Sequence, residues 1–158
     1  MNVTCSFFKE IKFKSDLFVL ITKSDLPLKF DHLSKILGLN LNSILAKLKL
    51  SENGSDTFIS FDNRDISNLL FIRTKNPDTN PVERFREVGH AIQKYLKQVK
   101  GKKVHILFNN IDTDLIQATR GVTEGLLLSD YKFLEFKSPS PDEIPDRKDI
   151  IFLLERQN

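Results

Sequence analysis

The strongest constraint on this chain is a run that a half-wet strand would not carry: Leu17-Phe18-Val19-Leu20-Ile21, with no polar position inside it. A strand with one face in water alternates apolar and polar residues, whereas a strand covered on both faces does not. The run is short, is β-branched at Val19 and Ile21, and stops at Ser24-Asp25 before Pro27. It therefore reads as an interior strand. Leu69-Leu70-Phe71-Ile72 and Val104-His105-Ile106-Leu107-Phe108 have the same character. Such strands need helices above and below them.

The helices are written between the strands. Asn80 is placed as an N-cap, Pro81 falls at the first helical position and Glu83 stands where a capping-box acid belongs. Val82, Phe85, Val88, Ile92, Leu96 and Val99 then form one apolar stripe. Lys97 and Lys100 fill the last turn and Gly101 is the expected stop, which predicts a helix over Pro81–Lys100. A second helix is expected over Asp112–Asp130, with Asp112 as cap and Leu115, Ala118, Val122 and Leu126 facing inward. Shorter helices are expected over Asp31–Leu37 and Asn42–Lys49. Strands are expected at Phe7–Phe8 with Ile11–Phe13 as a lead-in, at Tyr131–Phe136 and at Asp149–Leu154. Thr57–Phe61 alternates and suits a half-exposed or edge strand, with Phe58 facing opposite to Ile59 and Phe61. The alternation predicts an α/β, three-layer fold: a largely parallel or mixed sheet with helices on both faces.

Ser138–Asp146 is the one linker-like stretch, since its prolines forbid regular pairing. The apolar run Ile150–Leu154 follows it, and a chain stopping just after such a strand has the look of a trimmed one.

The residues offer little chemistry. His32, His90 and His105 are far apart and have no partners at metal-ligand spacing. They read as surface or hydrogen-bonded histidines, and Cys5 as a buried or inert thiol. No Gly-rich phosphate loop is present. The turns after the interior strands, Arg73-Thr74-Lys75-Asn76 and Asn109-Asn110-Ile111, lack glycine, so backbone cannot easily approach a pyrophosphate. A ligand in the crevice beyond the strands would have to use Arg73, Lys75, Asn109 or Asn110. Asp112 and Asp114 are explained as helix cap and first-turn acid. No catalytic, cofactor-binding or metal-binding residue is assigned. One basic run, Lys94, Lys97, Lys100, Lys102 and Lys103, is a possible nucleic-acid contact, though lysines at a helix C-terminus are favoured there anyway. The net charge of +3 is too mild to require a nucleic-acid partner. A single cysteine and an N-terminus without an apolar signal core fit a cytoplasmic protein, and no apolar run approaches a membrane span. The sequons at Asn2 and Asn53 are then chance matches.

The segment Gly121-Val122-Thr123-Glu124-Gly125 through Tyr131-Lys132-Phe133-Leu134-Glu135-Phe136-Lys137-Ser138 resembles the leucine (cytosol) aminopeptidase family. There a helix ending in Glu-Gly, a small apolar run and Tyr-x-Phe with a following basic residue close the N-terminal domain. Glu124, Gly125, Tyr131, Phe133 and Lys137 match that pattern. Asp16–Leu20 looks like the family's first core strand, Leu69–Lys75 like the strand leading to a lysine, and Glu83–Arg86 like the start of the next helix. The chain departs from the family at Arg73 and Thr74, where glycines are usual, which puts in doubt a ligand role for that turn.

The resemblance implies a macro-domain-like N-terminal domain over residues 1–138. Residues 139–158 would be a Pro-rich linker and closing strand leading to a C-terminal catalytic domain that this chain lacks. Two divalent metals belong to that catalytic domain in the family, within a block that nothing here matches. No cofactor and no family catalytic residue is therefore carried onto this chain. The implied role is a non-catalytic accessory domain of a metal-dependent leucyl aminopeptidase, acting in assembly, active-site access or regulation. The implied partners are the parent's catalytic domain and, in the full-length protein, further copies of itself; some bacterial members also bind DNA. The alternative is a macro-type module that binds a small ligand or nucleic acid.

Overall fold

The computed structural model describes residues 1–7, 14–23, 30–47, 56–61, 65–74, 80–130 and 147–154. In chain order its elements are β1 (Asn2–Phe7), β2 (Leu17–Lys23), α1 (Asp31–Leu37), α2 (Leu41–Lys47), β3 (Asp56–Ser60), β4 (Asn68–Thr74), α3 (Pro81–Leu96), β5 (Lys103–Asn109), α4 (Leu115–Asp130) and β6 (Asp149–Leu154). The strands form a six-stranded sheet in the order β1-β6-β5-β2-β4-β3. The first five of that order run parallel, and β3 pairs antiparallel with β4.

The apolar runs occupy the places that demand them. β2 lies between β5 and β4, and Leu17–Ile21 are buried without remainder. Leu17, Val19 and Ile21 face one core, while Phe18 and Leu20 face the other. α3 and α4 close the first core with Phe85, Val88, Ile92 and Leu96 and with Ala118, Val122 and Leu126. α1 and α2 close the second with Leu33, Leu37 and Leu41. The result is the expected three-layer α/β arrangement. β3 is the expected half-buried edge, with Phe58 turned to the first core and Ile59 and Phe61 to the second.

α3 and α4 approach each other through glycine. A Cβ on Gly121 would lie 2.6 Å from the Val82 carbonyl oxygen. One on Gly89 would overlap the Val122 carbonyl, and one on Gly125 the Arg86 carbonyl. Side chains along the seam then bond across it. Arg86 binds Glu124, His90 Nδ1 lies 2.7 Å from Ser129 Oγ, and the Gln93 amide donates to Asp130 at 2.8 Å. α4 continues unbroken through Gly121, because close packing offsets the helix-weakening cost of glycine.

Several boundaries differ from the sequence reading. α3 ends at Leu96, not Lys100: Gln98 and Val99 donate three residues back, to Tyr95 and Leu96, which tightens the chain out of the helix. Gly101 is not a left-handed stop. It leaves room for the Asp16 carboxylate, which accepts from the Lys102 and Lys103 amides at 2.9 Å each. α4 starts at Leu115, and its cap is Asp114, which accepts from the Ile116 and Gln117 amides. Asp112 is drawn off to Arg84 instead. Leu115 faces outward rather than inward. α2 runs Leu41–Lys47, with the Asn40 side chain accepting from the Ser43 amide. The lead-in strand spans Asn2–Phe7, and Cys5 on it is exposed, not buried. β6 matches its expected range but lies inside the sheet between β1 and β5, so its apolar run is no exposed edge. The expectations for Phe8, Ile11–Phe13 and Tyr131–Phe136 fall outside the described residues.

Candidate functional site

In a parallel sheet the strand carboxyl ends meet helix N-termini, and a ligand crevice is looked for there. Here those ends carry Thr22 and Lys23 on β2, Arg73 and Thr74 on β4, and Asn109 with Asn110 after β5. Asn110 takes the left-handed conformation at φ 51°, a turn that asparagine tolerates well. The feature that sets the chemistry of this end is one that the sequence reading missed. Arg84, in the first turns of α3 and only 6% exposed, donates to Asp112 at 2.8 Å and to Thr113 Oγ1 at 2.6 Å. Lys23 lies 3.8 Å from the other Asp112 oxygen. Burial works to raise the Asp112 carboxyl, but Arg84 and Lys23 outweigh it and hold it below the usual carboxylate range. The pair ties the start of α3 to the turn before α4 and spends the cation that would otherwise face a ligand. Thr74 Oγ1 is likewise turned to the Thr22 carbonyl at 3.3 Å. Lys75 lies outside the described residues.

A groove of about 460 Å³ opens beside the N-terminus of α3, lined by Asn80, Val82, Glu83, Arg86 and Arg120. Its charges are spent on each other. Arg86 pairs with Glu83 and, at 2.5 Å, with Glu124, and Arg120 holds the second Glu124 oxygen at 2.7 Å. Hydrogen bonds from Arg120 and then Arg86 hold the Glu124 carboxyl below its ordinary range. Glu83 thus serves Arg86 rather than a capping box, and the Asn80 side chain alone caps the helix, accepting from the Val82 amide at 2.9 Å.

The lysine run falls at the opposite end of the sheet. Lys94 lies in the last turn of α3, Lys97 follows its end, Lys100 and Lys102 lie in the connection, and Lys103 opens β5. All five are exposed. A further lysine, Lys148, is structural there: its Nζ donates to the Val99 and Gly101 carbonyls at 2.7 and 2.6 Å. Tyr95, the aromatic within the run, is committed elsewhere. Its ring stacks on Phe58 at 5.3 Å, and its hydroxyl, pushed up to about 12 by burial and then by Asp56, donates to that carboxylate.

The histidines follow the structural reading. His105 is buried beside Ser15, whose hydroxyl donates to the Leu17 carbonyl at 2.8 Å. His105 Nδ1, 2.9 Å from that oxygen, must then be the donor, which fixes a protonated Nδ1. Burial, with help from Lys103 and against the pull of Asp16, lowers its pKa to about 4. His90 bonds across the helix seam, and His32 is exposed. Among the described residues no three His, Cys, Asp or Glu side chains converge as a metal site would require. No helix in the described residues is long and apolar enough to cross a membrane.

The model of the cytosol aminopeptidase family's N-terminal domain matches residues 23–140. No curated protein sequence matches the chain. Among solved structures, a tomato leucine aminopeptidase mutant superposes with a TM-score of 0.70 at 12% identity, covering 97% of this chain and 32% of its own. A leucine aminopeptidase of Caenorhabditis elegans superposes with a TM-score of 0.51 at 13% identity, covering 98% of this chain and 31% of its own. The chain thus spans about a third of the length of these solved proteins. At such identities the likeness speaks for the fold.

Proposed function

The chain belongs to the cytosol aminopeptidase family, as its N-terminal domain, and from that premise we propose that it is a non-catalytic accessory domain of a metal-dependent leucyl aminopeptidase. Removal of N-terminal residues from peptides is assigned to a C-terminal catalytic domain of the parent chain, working in the cytoplasm on two divalent metals. The role of the present domain is in assembly, access to that active site, or its regulation.

The observation that carries this reading is how the carboxylates are used. Two-metal hydrolysis needs several carboxylates converging on ions about 3.5–4 Å apart. Here Asp112 is held by Arg84 and Lys23, Glu124 by Arg86 and Arg120, and Asp16 by two backbone amides. The described residues therefore do not fit a two-metal centre, and no step of peptide hydrolysis is derived from them. The macro-type ligand reading is weakened by the Arg84–Asp112 pair at the strand carboxyl ends and by a sequence without glycine after β4 and β5, since close backbone approach to a phosphate needs glycine.

The test is direct. Purified chain supplied with Zn²⁺, Mn²⁺ or Mg²⁺ is expected to hydrolyse a leucyl amide no faster than blank. Turnover that survives repurification and disappears on substituting Asp112 or Glu124 would overturn the proposal.

A further inference from the structure

Three buried side-chain atoms among the described residues have no hydrogen-bond partner: Arg73 Nε, Arg84 Nε and Gln93 Oε1. Two of them belong to side chains whose other atoms are held. Arg84 is tied to Asp112 and Thr113, and the Gln93 amide nitrogen to Asp130. Arg73 has no such tie. Its guanidinium lies over the Phe71 ring, 6.0 Å from the centroid, and makes no hydrogen bond or ion pair to any described residue. A guanidinium drawn inward without a partner is costly, because its donors lose water and gain nothing in return. Such a group calls for a partner that the chain itself does not supply.

The residues beside Arg73 form a row. Leu69 and Phe71 on β4 face the α1/α2 core, so the alternation puts Arg73 on that side. Thr22 follows Phe18 and Leu20 on β2, and Asn109 follows Leu107 on β5, with the same orientation. Thr22 is the register partner of both Arg73 and Asn109. The three side chains therefore stand in line across β5, β2 and β4 at their carboxyl ends. Adjacent strands lie about 4.8 Å apart, so the three Cα atoms span roughly 10 Å, and one small group above Thr22 is within reach from both sides. Leu20, Phe71 and Leu107 lie beneath the row and are buried, which strengthens a charge-assisted bond made above them. The Arg84–Asp112 pair does not compete. It belongs with Lys23 to the opposite face, the side of α3 and α4.

These donors suit a carboxylate better than a phosphate. The guanidinium fork matches the two oxygens of a carboxylate, and the Thr22 hydroxyl and Asn109 amide add neutral donors. Phosphate sites of open α/β sheets draw on backbone amides bared by glycine, and no glycine lies between β2, β4 or β5 and the helix that follows each. We propose that Arg73, Thr22 and Asn109 bind a free carboxylate, that of a small acid or of a peptide C-terminus, on the α1/α2 side of the strand carboxyl ends. The site belongs to this chain and holds whether or not the parent is an aminopeptidase.

The test follows the backbone amide resonances of the full chain by NMR while N-acetylleucine, its carboxamide, an acetylated Gly-Gly-Leu peptide and inorganic phosphate are added in separate titrations. Thr22, Arg73 and Asn109 should shift saturably with the two acids and not with the carboxamide. The tighter of the two acids assigns the carboxylate to a small molecule or to a peptide end, and either result supports the site. Arg73→Lys keeps the charge but loses the fork, and should weaken binding about tenfold, the worth of one charge-assisted hydrogen bond. Thr22→Val is close in shape and repeats the test if the first variant misfolds, and Lys94→Gln at the other end of the sheet should change nothing. Without ligand, Arg73→Met keeps the apolar stem over Phe71 and should not lower the thermal midpoint, since no bond within the protein is lost. No saturable shift at these residues, an equal response to the carboxamide, tighter binding of phosphate, an affinity untouched by Arg73→Lys and Thr22→Val, or a midpoint lowered by Arg73→Met would each overturn the proposal.

Discussion

The two faces of the sheet are covered by different means. On one, α3 and α4 are 16-residue helices that carry their own apolar stripes and lie backbone to backbone through Gly89, Gly121 and Gly125. On the other, α1 and α2 are seven-residue helices, too short to be stable alone, and side chains bonded to backbone hold their corner. Asn42 accepts from the Phe30 amide, Ser34 Oγ from the Leu41 amide, and Gly38 closes α1 in the left-handed region at φ 64°. The long face depends on shape, the short one on local polar bonds. Volume changes should therefore be felt most on the first face, and loss of single hydrogen bonds or protonation on the second.

The largest effect is expected at the seam. Gly125→Val places a branched side chain against the Arg86 carbonyl and the Gly89 backbone, neither of which can move without parting the helices. Overpacking costs about 1–3 kcal/mol where side chains can adjust, and more is expected here because the obstacle is backbone. Chemical denaturation should show a fall beyond that range, larger than the one that follows for Phe85. A midpoint within error of the parent would mean that the helices are not in close contact. Next, Phe85→Ala should cost roughly 3–5 kcal/mol, since the ring is fully buried and packs edge-on to Phe108 at 5.8 Å.

These residues also mark what could be read in advance. The stripe through Phe85, Val88, Ile92 and Leu96 and the run Leu17–Ile21 declared themselves because periodicity within one segment reports burial of that segment. The Asn80-Pro81 start was legible for the same reason, as a cap is a local device. Where two candidates competed, local chemistry did not decide. Asp112 and Asp114 are both plausible caps, and Arg84, distant in sequence, settles the choice by claiming Asp112. Gly101 looked like a helix stop because the Asp16 carboxylate it accommodates is 85 positions away, a separation at which no local pattern points. The seam had a signal that went unused: Gly121 and Gly125 stand one helical turn apart, the spacing that lets helix backbones approach. The Arg84–Asp112–Lys23 group had none, because an ion pair between separate elements leaves no periodic trace.

On the second face the expected probe is acid. His105 alternates with Leu107 on β5 and so lies on the α1/α2 side. Its pKa is lowered from 6.5 to about 4 in the folded chain. Between those values the unfolded chain binds a proton that the folded chain does not, so falling pH favours unfolding. The contribution is complete above about pH 6.5, is lost progressively down to about pH 4, and changes no further below that. At about 1.4 kcal/mol per unit the loss reaches up to roughly 3 kcal/mol. Carboxylates titrate in the same window, so the measurement is a difference: denaturant midpoints at pH 7 and pH 4.5 for the parent and for His105→Gln. The variant should lose less stability on acidification. Equal losses would place the proton elsewhere.

The smallest effect is expected where the long face ends in lysines. Lys94, Lys97, Lys100, Lys102 and Lys103 surround the C-terminus of α3, where cations complement the helix dipole. Replacing Lys97 and Lys100 together by Gln should then cost only a few tenths of a kcal/mol. Duplex DNA should not bind near physiological salt, for two reasons. The net charge is only +3. The nearby aromatic, Tyr95, has one face stacked on Phe58 and its hydroxyl on Asp56, so its ring is not a platform for a base. A fluorescence titration at two salt concentrations decides between the dipole and a nucleic-acid surface. Binding that weakens with a log–log slope near −0.9 per phosphate, and flattens by about two contacts in the double variant, would make the lysine end a docking site. The two ends of the sheet would then differ in kind, one closed by Arg84 and Asp112, the other open to an anionic polymer.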